Sequence, residues 1–140
     1  MNIDEWLQKN GFDKTGEFIS KPQNASGIGV KFYDPEFASS DTDWIYAMRL
    51  NDEIKYIGET AQTLSRRMRL YYLEAREDST NAGMRERLKK LLRDGQTVEI
   101  YAQRAPSITY RNRTLKLRVD LEISMIKEVR PEWNKKGLYT

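Results

Sequence analysis

Catalytic chemistry in this chain has to come from tyrosine, lysine, arginine, aspartate and glutamate, because neither histidine nor cysteine occurs in its 140 residues. The lack of histidine removes the commonest general base and every Ser-His or Cys-His catalytic pair. The lack of cysteine removes disulfides and thiolate metal sites, and it fits an intracellular protein. Any active site must therefore combine phenols, cations and carboxylates.

One carboxylate has an unusual position in the predicted last helix. Val119, Ile123 and Ile126 are spaced by four and three residues, which predicts one apolar side of a helix. Glu122 follows Val119 by three residues and precedes Ile126 by four, so it falls inside this stripe. An unpaired buried carboxylate is costly, so we expect Arg, Lys or a metal ion nearby. A structural ion pair, or a place at the edge of the stripe, fits the same spacing.

Two tyrosines lie in a predicted β-hairpin. Alternating apolar residues predict strands over 44–50 and 54–58, joined by a turn at 51–53. A three-residue turn, or a bulge that restores the same register, puts Tyr46 and Tyr56 on one face of the hairpin, whereas a two-residue turn alone puts them on opposite faces. Two phenols on one face fit catalysis, and they also fit ordinary core packing.

Basic residues are concentrated in two parts of the chain, although 24 Lys and Arg against 21 Asp and Glu leave a net charge of only +3. Residues 100–119 contain no acid but five basic residues, which are Arg104, Arg111, Arg113, Lys116 and Arg118. A second cluster consists of Arg66, Arg67 and Arg69. Such patches attract phosphate backbones, and each also fits a solvated surface.

The elements that must position these residues follow from the apolar periodicity. Besides the hairpin, the pattern predicts helices over 3–9, 60–76, 82–93 and 119–130, a strand over 97–103, and short strands at 18–19 and 30–33 separated by loops. From residue 44 onward the order is β-β-α-α-β-α, an α+β arrangement with helices flanking a small antiparallel sheet. We therefore expect one regular α+β unit at 44–140, preceded by a looser N-terminal extension at 1–43.

No stretch approaches the roughly 20 apolar residues of a membrane span. The acidic N-terminus lacks the apolar segment of a signal peptide. We therefore expect no membrane partner.

The ordered motifs resemble the GIY-YIG nuclease family, and within it the small phage endonucleases. Trp44-Ile45-Tyr46 followed by Tyr56-Ile57-Gly58-Glu59-Thr60 resembles the family signature, and Leu121-Glu122 with Ile126, Pro131 and Asn134 resembles its metal-binding helix and asparagine. The resemblance covers residues 43–135. It implies a catalytic domain at 44–140 and an N-terminal extension at 1–43 that grips DNA or forms an oligomer contact. Two positions depart from the family: Trp44 stands at the first glycine of the signature, and Leu70 stands where many members have a histidine.

The resemblance implies a metal-dependent DNA endonuclease that hydrolyses phosphodiester bonds, of the restriction or phage host-DNA-degrading type. It implies that Glu122 holds one Mg²⁺, or alternatively Mn²⁺. It makes Tyr46 the general base, Tyr56 a water-orienting group, and Arg66 the donor to the non-bridging phosphate oxygens, since Arg66 has the family spacing of ten residues from Tyr56.

The remaining assignments concern supporting residues. Arg67 and Arg69 are expected to contact phosphates, although helical spacing alone leaves Arg66 and Arg67 as competitors for the site. Lys55 is a candidate for the proton transfer that the family histidine assists. Asn134 is expected to tie the chain after the last helix to the site, with a simple turn asparagine as the alternative.

The same resemblance implies double-stranded DNA as partner and the cytoplasm of a bacterial or phage-infected cell as location. Cutting both strands would favour a homo-oligomer, because one site handles one bond at a time. The alternatives are a structure-selective repair or recombination nuclease, and a non-catalytic DNA-binding module.

Overall fold

The computed structural model describes residues 1–73 and 80–135. In chain order the elements are α1 Ile3–Lys9, β1 Asp13–Ser20, β2 Ile28–Phe32, α2 Pro35–Ser40, β3 Thr42–Leu50, β4 Glu53–Thr63, α3 Leu64–Tyr72, α4 Thr80–Arg93, β5 Val98–Arg104, β6 Ser107–Tyr110, β7 Arg113–Lys116 and α5 Arg118–Val129. The predicted α+β class is confirmed, and the predicted order β-β-α-α-β-α from residue 44 holds with two strands, β6 and β7, added before the last helix. None of the described helices is both long and apolar enough to cross a membrane.

Five strands form one antiparallel sheet in the order β2-β1-β5-β3-β4, so β4 is an edge strand. Strand β3, an inner strand beside the edge strand β4, is buried on both faces because its residues alternate between two cores. Tyr46 and Met48 point into one core, whereas Ile45 and Ala47 point into the other. The predicted alternation of this strand is confirmed.

Helices cover both faces of the sheet. Leu64 and Met68 of α3, together with Leu88 of α4, pack into the core that contains Tyr46. Trp6 and Leu7 of α1, together with Met125 and Ile126 of α5, pack into the opposite core. Each amphipathic helix thus buries its apolar side against the sheet. Residues on α3 and α5 therefore approach the sheet from opposite faces.

The N-terminal third joins the same sheet instead of standing apart from it. Strand β1 pairs with β5, with Lys14 opposite Tyr101. Helix α2 lies where the sequence predicts a loop. Asp34 caps it by accepting a hydrogen bond from the Phe37 amide at 3.1 Å, and Pro35 starts its first turn. The proposed roles of residues 1–43 in gripping DNA or in oligomer contact stay predictions.

Two further boundaries differ from the sequence prediction. Helix α3 begins after Thr63 and not after Thr60, because β4 continues to Thr63, whose hydroxyl caps the helix. The predicted continuation of this helix to residue 76 lies outside the described residues. A second hairpin, β6–β7, has no counterpart in the prediction. Its turn residues Arg111 and Asn112 have φ angles of 50° and 63°, as a type I′ turn requires.

Candidate active site

The hairpin of β3 and β4 carries a β-bulge that sets the direction of its side chains. Leu50 pairs with Glu53, so the turn has two residues and the predicted three-residue turn is wrong. Arg49 then pairs with Ile54, and Lys55 is the extra residue that restores the register on the next pair. The structure therefore has the predicted alternative, a bulge that restores the register, in place of the longer turn.

Tyr46 and Tyr56 lie on one face of the sheet, as predicted. Tyr56 pairs across the hairpin with Met48, which shares a face with Tyr46 two residues earlier. The ring centroids of the two tyrosines are 6.2 Å apart. Tyr46 is fully buried, whereas Tyr56 is half-buried and keeps part of its ring in contact with solvent.

Gly58 allows the two phenols to approach each other. It pairs with Tyr46 across the hairpin. A Cβ atom at Gly58 would lie 2.5 Å from both Cζ and Oη of Tyr46 and 2.8 Å from Cε1 of Tyr56. No side chain fits there without moving a ring, so the glycine of the Tyr56-Ile57-Gly58 motif is a packing requirement of the tyrosine pair.

A third phenol, which the sequence analysis does not assign to the site, completes this cluster. The hydroxyls of Tyr46 and Tyr71 are 2.6 Å apart and share a hydrogen bond in the core. Burial raises the pKa of Tyr46, and neighbouring Tyr56 raises it further, whereas the charge of Arg67 acts in the opposite direction. Tyr46 is thus protonated in the free protein.

Arg67, and not Arg66, is the arginine beside the phenols. Its guanidinium lies over the ring of Tyr71, 4.6 Å from the centroid, and its charge acts on Tyr46. Arg66 is exposed and lines a surface groove of about 510 Å³ together with Arg69. The structure therefore does not bring Arg66 to the tyrosines.

A second bulge explains this change of position. Trp44 pairs with Thr60 and Thr42 with Thr63, so β4 has one more residue than β3 in this stretch. The resemblance implies a spacing of ten residues from Tyr56 to the arginine of the site, which selects Arg66. The extra residue of the bulge lengthens this spacing to eleven, which selects Arg67. The helical spacing of the sequence already indicated Arg67. Leu64 precedes it by three residues and Tyr71 follows it by four, so all three lie on one face of the helix.

The same one-residue shift changes which residue occupies the position of the family histidine. The position four residues after Arg67 is Tyr71, which is buried against Tyr46, whereas Leu70 is 42% exposed on the outer side of α3. A phenol thus occupies the place where the resemblance predicts an imidazole.

Glu122 lies on the buried side of α5, and this side includes Ile126 as predicted but not Val119. Val119 is 46% exposed. The helix instead packs through Leu121, Met125, Ile126 and Val129. Glu122 precedes Met125 by three residues and Ile126 by four, so it shares the packed side and is half-buried.

The Glu122 carboxylate is poorly compensated. Among the described residues it has neither a hydrogen bond nor an ion pair, which does not fit a structural ion pair. Burial raises the pKa of Glu122 to about 7, and nearby Glu59 contributes in the same direction. Arg118 and Arg67 oppose this increase without cancelling it. Arg67 thus acts on the phenols and on Glu122 at once.

These features fit a hard divalent cation. A half-buried carboxylate without a partner gains most from a positive ion, and Mg²⁺ binds through one or two carboxylates together with water and phosphate oxygens. Within the part of the chain that the structure describes, no group of three or more acidic side chains could form a complete cage. Glu122 would therefore hold such an ion mainly through water and substrate oxygens.

Arg118, predicted to contact DNA, is already paired within the protein. Its Nη1 donates to Asp43 Oδ1 at 2.6 Å, and its Nε donates to Glu59. Lys116 also binds Asp43, at 3.1 Å. Burial raises the pKa of Asp43, but hydrogen bonds from Lys116, Thr42 and Arg118 outweigh it and hold the pKa below its usual value. Asp43 is thus an ionised carboxylate that pairs with both Lys116 and Arg118. Its backbone has a φ of 65°, in the left-handed region.

The other predicted DNA contacts differ in their surroundings. Arg104 donates to the Thr42 carbonyl at 2.7 Å and lies 3.3 Å from Asp41. Arg111 and Arg113 are exposed on the β6–β7 hairpin, and Arg69 is exposed on α3. Contacts of these residues with DNA stay predictions.

Asn134 ties the segment after α5 to the strand that carries Tyr56. Its Nδ2 donates to the Ile57 carbonyl at 2.9 Å, and its Oδ1 accepts from the Ile57 amide at 3.0 Å. The buried amide side chain thus pairs with the edge of β4 as a strand residue would. Lys55 instead forms ion pairs with Glu53 at 2.6 Å and Glu132 at 2.8 Å, so the structure does not bring it to the phenols.

Two solved nuclease structures share this fold. EndoII of bacteriophage T4, solved as a mutant with one glutamate changed to alanine, is 26% identical, with a TM-score of 0.72 over 96% of this chain and 100% of that chain. Restriction endonuclease HPY188I in complex with product DNA is 16% identical, with a TM-score of 0.56 over 98% of this chain and 85% of that chain. No family model and no curated protein matches the chain. The chain therefore has a nuclease fold.

Proposed function

We propose that this chain is a metal-dependent DNA endonuclease that hydrolyses phosphodiester bonds of double-stranded DNA. The observation that carries the proposal is the position of Arg67, whose guanidinium lies over the Tyr71 ring, 4.6 Å from its centroid, and whose charge acts on both Tyr46 and Glu122. A guanidinium near both a proton-transfer group and a cation ligand can donate to a phosphate that is bound there. The fold shared with phage EndoII supports the same activity.

The chemistry divides among the residues as follows. Arg67 donates to the non-bridging oxygens, for which its planar fork is suited, and its charge offsets the charge that develops in the transition state. Glu122 holds Mg²⁺, with Mn²⁺ as a substitute. When bound, such an ion polarises the phosphate and stabilises the leaving oxygen.

The three phenols handle the water and its proton. Tyr56 keeps part of its ring exposed, so it orients the incoming water. Tyr46 receives the proton, and Tyr71 holds the Tyr46 hydroxyl through their shared hydrogen bond. Because burial raises the pKa of Tyr46, the phenol is protonated in the free protein although Arg67 lies beside it. A cation held by Glu122 would lower that pKa further, so that the phenolic proton would leave to solvent before Tyr46 accepts the proton of the attacking water.

The restriction or phage host-DNA-degrading type fits the neighbours, one of which is a phage protein and the other a restriction enzyme. Supercoiled plasmid incubated with the protein in Mg²⁺ or in EDTA tests the proposal. We expect nicked or linear product with Mg²⁺ and none with EDTA, and no product from Glu122→Gln in either buffer. A mobility shift of DNA without any cutting would identify a binding module instead.

A further inference from the structure

The hairpin of β6 and β7 is a two-stranded ribbon outside the main sheet. Its strands Ser107–Tyr110 and Arg113–Lys116 pair only with each other, and all eight strand residues are exposed. A lone two-stranded hairpin is marginally stable in water. A ribbon of this kind, here named the arm, gains order when a partner covers it.

One face of the arm is apolar. Ile108 lies opposite Leu115, and Tyr110 lies opposite Arg113. Positions two apart along a strand share a face, so these four side chains project to one side. Ile108, Tyr110 and Leu115 are 48%, 57% and 41% exposed. The arm therefore presents three apolar groups and the Arg113 guanidinium, and the Arg111 guanidinium lies over the Tyr110 ring, 5.3 Å from its centroid.

Charge indicates which partner covers this face. The arm contains Arg111, Arg113 and Lys116, and the whole stretch of residues 100–119 has no acid. Two copies meeting through this face would bring Arg113 of each toward the other, which like charges disfavour. A polyanion removes the conflict and gains from every cation.

The dimensions and groups of the arm match one groove of DNA. The major groove is about 12 Å wide and admits a two-stranded ribbon, whereas the minor groove is about 6 Å wide. The major groove also exposes thymine methyl groups and the O6 and N7 acceptors of guanine. Apolar Ile108 and Leu115 suit the methyl groups, and the Arg113 guanidinium suits guanine. Arg111 in the turn is left for the phosphate backbone.

The base of the arm is fixed to the candidate active site. Lys116 binds Asp43, which also binds Arg118, the first residue of α5. Glu122 follows one helical turn later. A groove contact by the arm would therefore lie at a constant distance from the bond that is cut.

From this geometry we infer that the arm enters the DNA major groove with its apolar face and selects the sequence at which the chain acts. The inference rests on the proposed function for its substrate, because it takes DNA as the partner. It adds a sequence-reading element that is separate from the catalytic residues.

The test uses the full chain with Glu122→Gln in EDTA, so that bound DNA stays intact. Duplexes with a randomised centre are selected by binding and sequenced, and the preferred duplex is then methylated with dimethyl sulfate, which reports guanine N7 in the major groove and adenine N3 in the minor groove. Arg113→Ala and the double change Ile108→Ser with Leu115→Ser are compared with Lys31→Ala. Lys31 is an exposed lysine on β2, at the far edge of the sheet.

We expect the unchanged arm to protect guanine N7, and Arg113→Ala to lose that protection together with about tenfold of the base preference. The double serine change should lower the preference for thymine, and Lys31→Ala should leave both readouts unchanged. Because every substituted arm residue is exposed, we expect all variants to keep the melting temperature of the parent chain.

Several outcomes would overturn the inference. These are protection confined to adenine N3, an unchanged preference in Arg113→Ala, or a double serine variant whose only change is a lower oligomeric mass in sedimentation. The two proposals fail separately. If the chain cuts DNA with Mg²⁺ and its base preference does not depend on the arm, only the groove-reading role of the arm is refuted. If the chain protects guanine N7 but never cuts DNA, only the nuclease activity is refuted. No DNA binding at all refutes both.

Discussion

Glu122 shows how a candidate metal ligand can lower the stability of its own fold. The folded chain holds this carboxyl group with a pKa of about 7 against an ordinary value of 4.5, with burial as the main cause. A proton is thus bound more tightly in the folded state than in the unfolded state. The free energy of unfolding therefore falls as the pH rises from about 4.5 to 7, and the full cost is present above pH 7.

We predict that Glu122→Gln melts at a higher temperature than the parent chain at pH 8 in EDTA, because glutamine keeps the shape without the charge. Because solvent screens this half-buried group, we expect the gain in the free energy of unfolding to be about 1 kcal/mol. This gain corresponds to about 3 °C in Tm. The difference should vanish at pH 4. Thermal unfolding followed by circular dichroism measures both.

Mg²⁺ added at pH 8 supplies the control for this prediction, because a bound cation stabilises the parent chain and not the variant. A variant that is less stable than the parent at both pH values would show that the carboxylate is satisfied within the fold.

Tyr71 is a positioning residue in this account, since it acts through the hydroxyl of Tyr46. We predict that Tyr71→Phe slows single-turnover cleavage about tenfold and changes its pH profile, because Tyr46 loses the partner that fixes its hydroxyl. Tyr46→Phe removes the proton acceptor and should cost about 100-fold or more. DNA affinity should stay unchanged in both.

Tyr72→Phe is the matched control, since Tyr72 is the next residue of α3 and points away from this hydrogen bond. A purely structural role for Tyr71 predicts a lower Tm and an unchanged pH profile. That combination would remove Tyr71 from the proton-transfer group.

At the level of elements, strand β4 is the part on which the site depends. Its two bulges direct Tyr56 to the face of Tyr46 and shift the arginine of α3 by one residue. Asn134 supports the free edge of this strand through Ile57. Gly58 lies between the bulges, where the Tyr46 ring occupies the space that a side chain would need.

We predict that Gly58→Ala lowers both stability and activity, because the added Cβ would meet Tyr46 at 2.5 Å. We expect overpacking to lower the free energy of unfolding by about 1–3 kcal/mol. The cleavage rate should fall by more than this loss of stability explains. Gly83→Ala is the matched control. Gly83 lies in α4 with no atom within 4 Å of an added Cβ, so alanine should stabilise the helix by about 1 kcal/mol. Equal effects of the two substitutions would contradict the packing of Gly58 against the phenols.

On the scale of the whole molecule, the sequence predicts those elements that bury a regular apolar pattern. Strand β3 and the core order are predictable because Tyr46 and Met48 alternate with buried Ile45 and Ala47. The β6–β7 arm is missed because none of its strand residues is buried, so no burial pattern marks it. Strand β1 is found only in part, since its first half is polar.

The candidate site is predictable by residue type and less so by position. Tyr46, Tyr56 and Glu122 are identified from spacing and resemblance. Arg67 and Tyr71 are not, because counting residues along a chain cannot reveal an extra residue in a bulge. The unusual pairing of Arg118 with Asp43 also depends on a long-range contact that no local pattern contains.

The molecule as a whole assembles this site around the edge of its sheet. The phenols belong to the face covered by α3, whereas Glu122 belongs to α5 on the opposite face. Arg67 links the two, because its charge acts on Tyr46 and on Glu122. Arg66, its neighbour in sequence, lies on the outer side of α3. It carries the same charge as Arg67, so it is a matched control for the position of the guanidinium.

The most direct test is therefore single-turnover cleavage of DNA at saturating protein by Arg67→Ala and Arg66→Ala. Loss of one transition-state donor commonly costs about 100- to 1000-fold in rate. We predict a loss of this size for Arg67→Ala, with a change of no more than about threefold for Arg66→Ala. A rate that collapses in Arg66→Ala and persists in Arg67→Ala would contradict this account of the site.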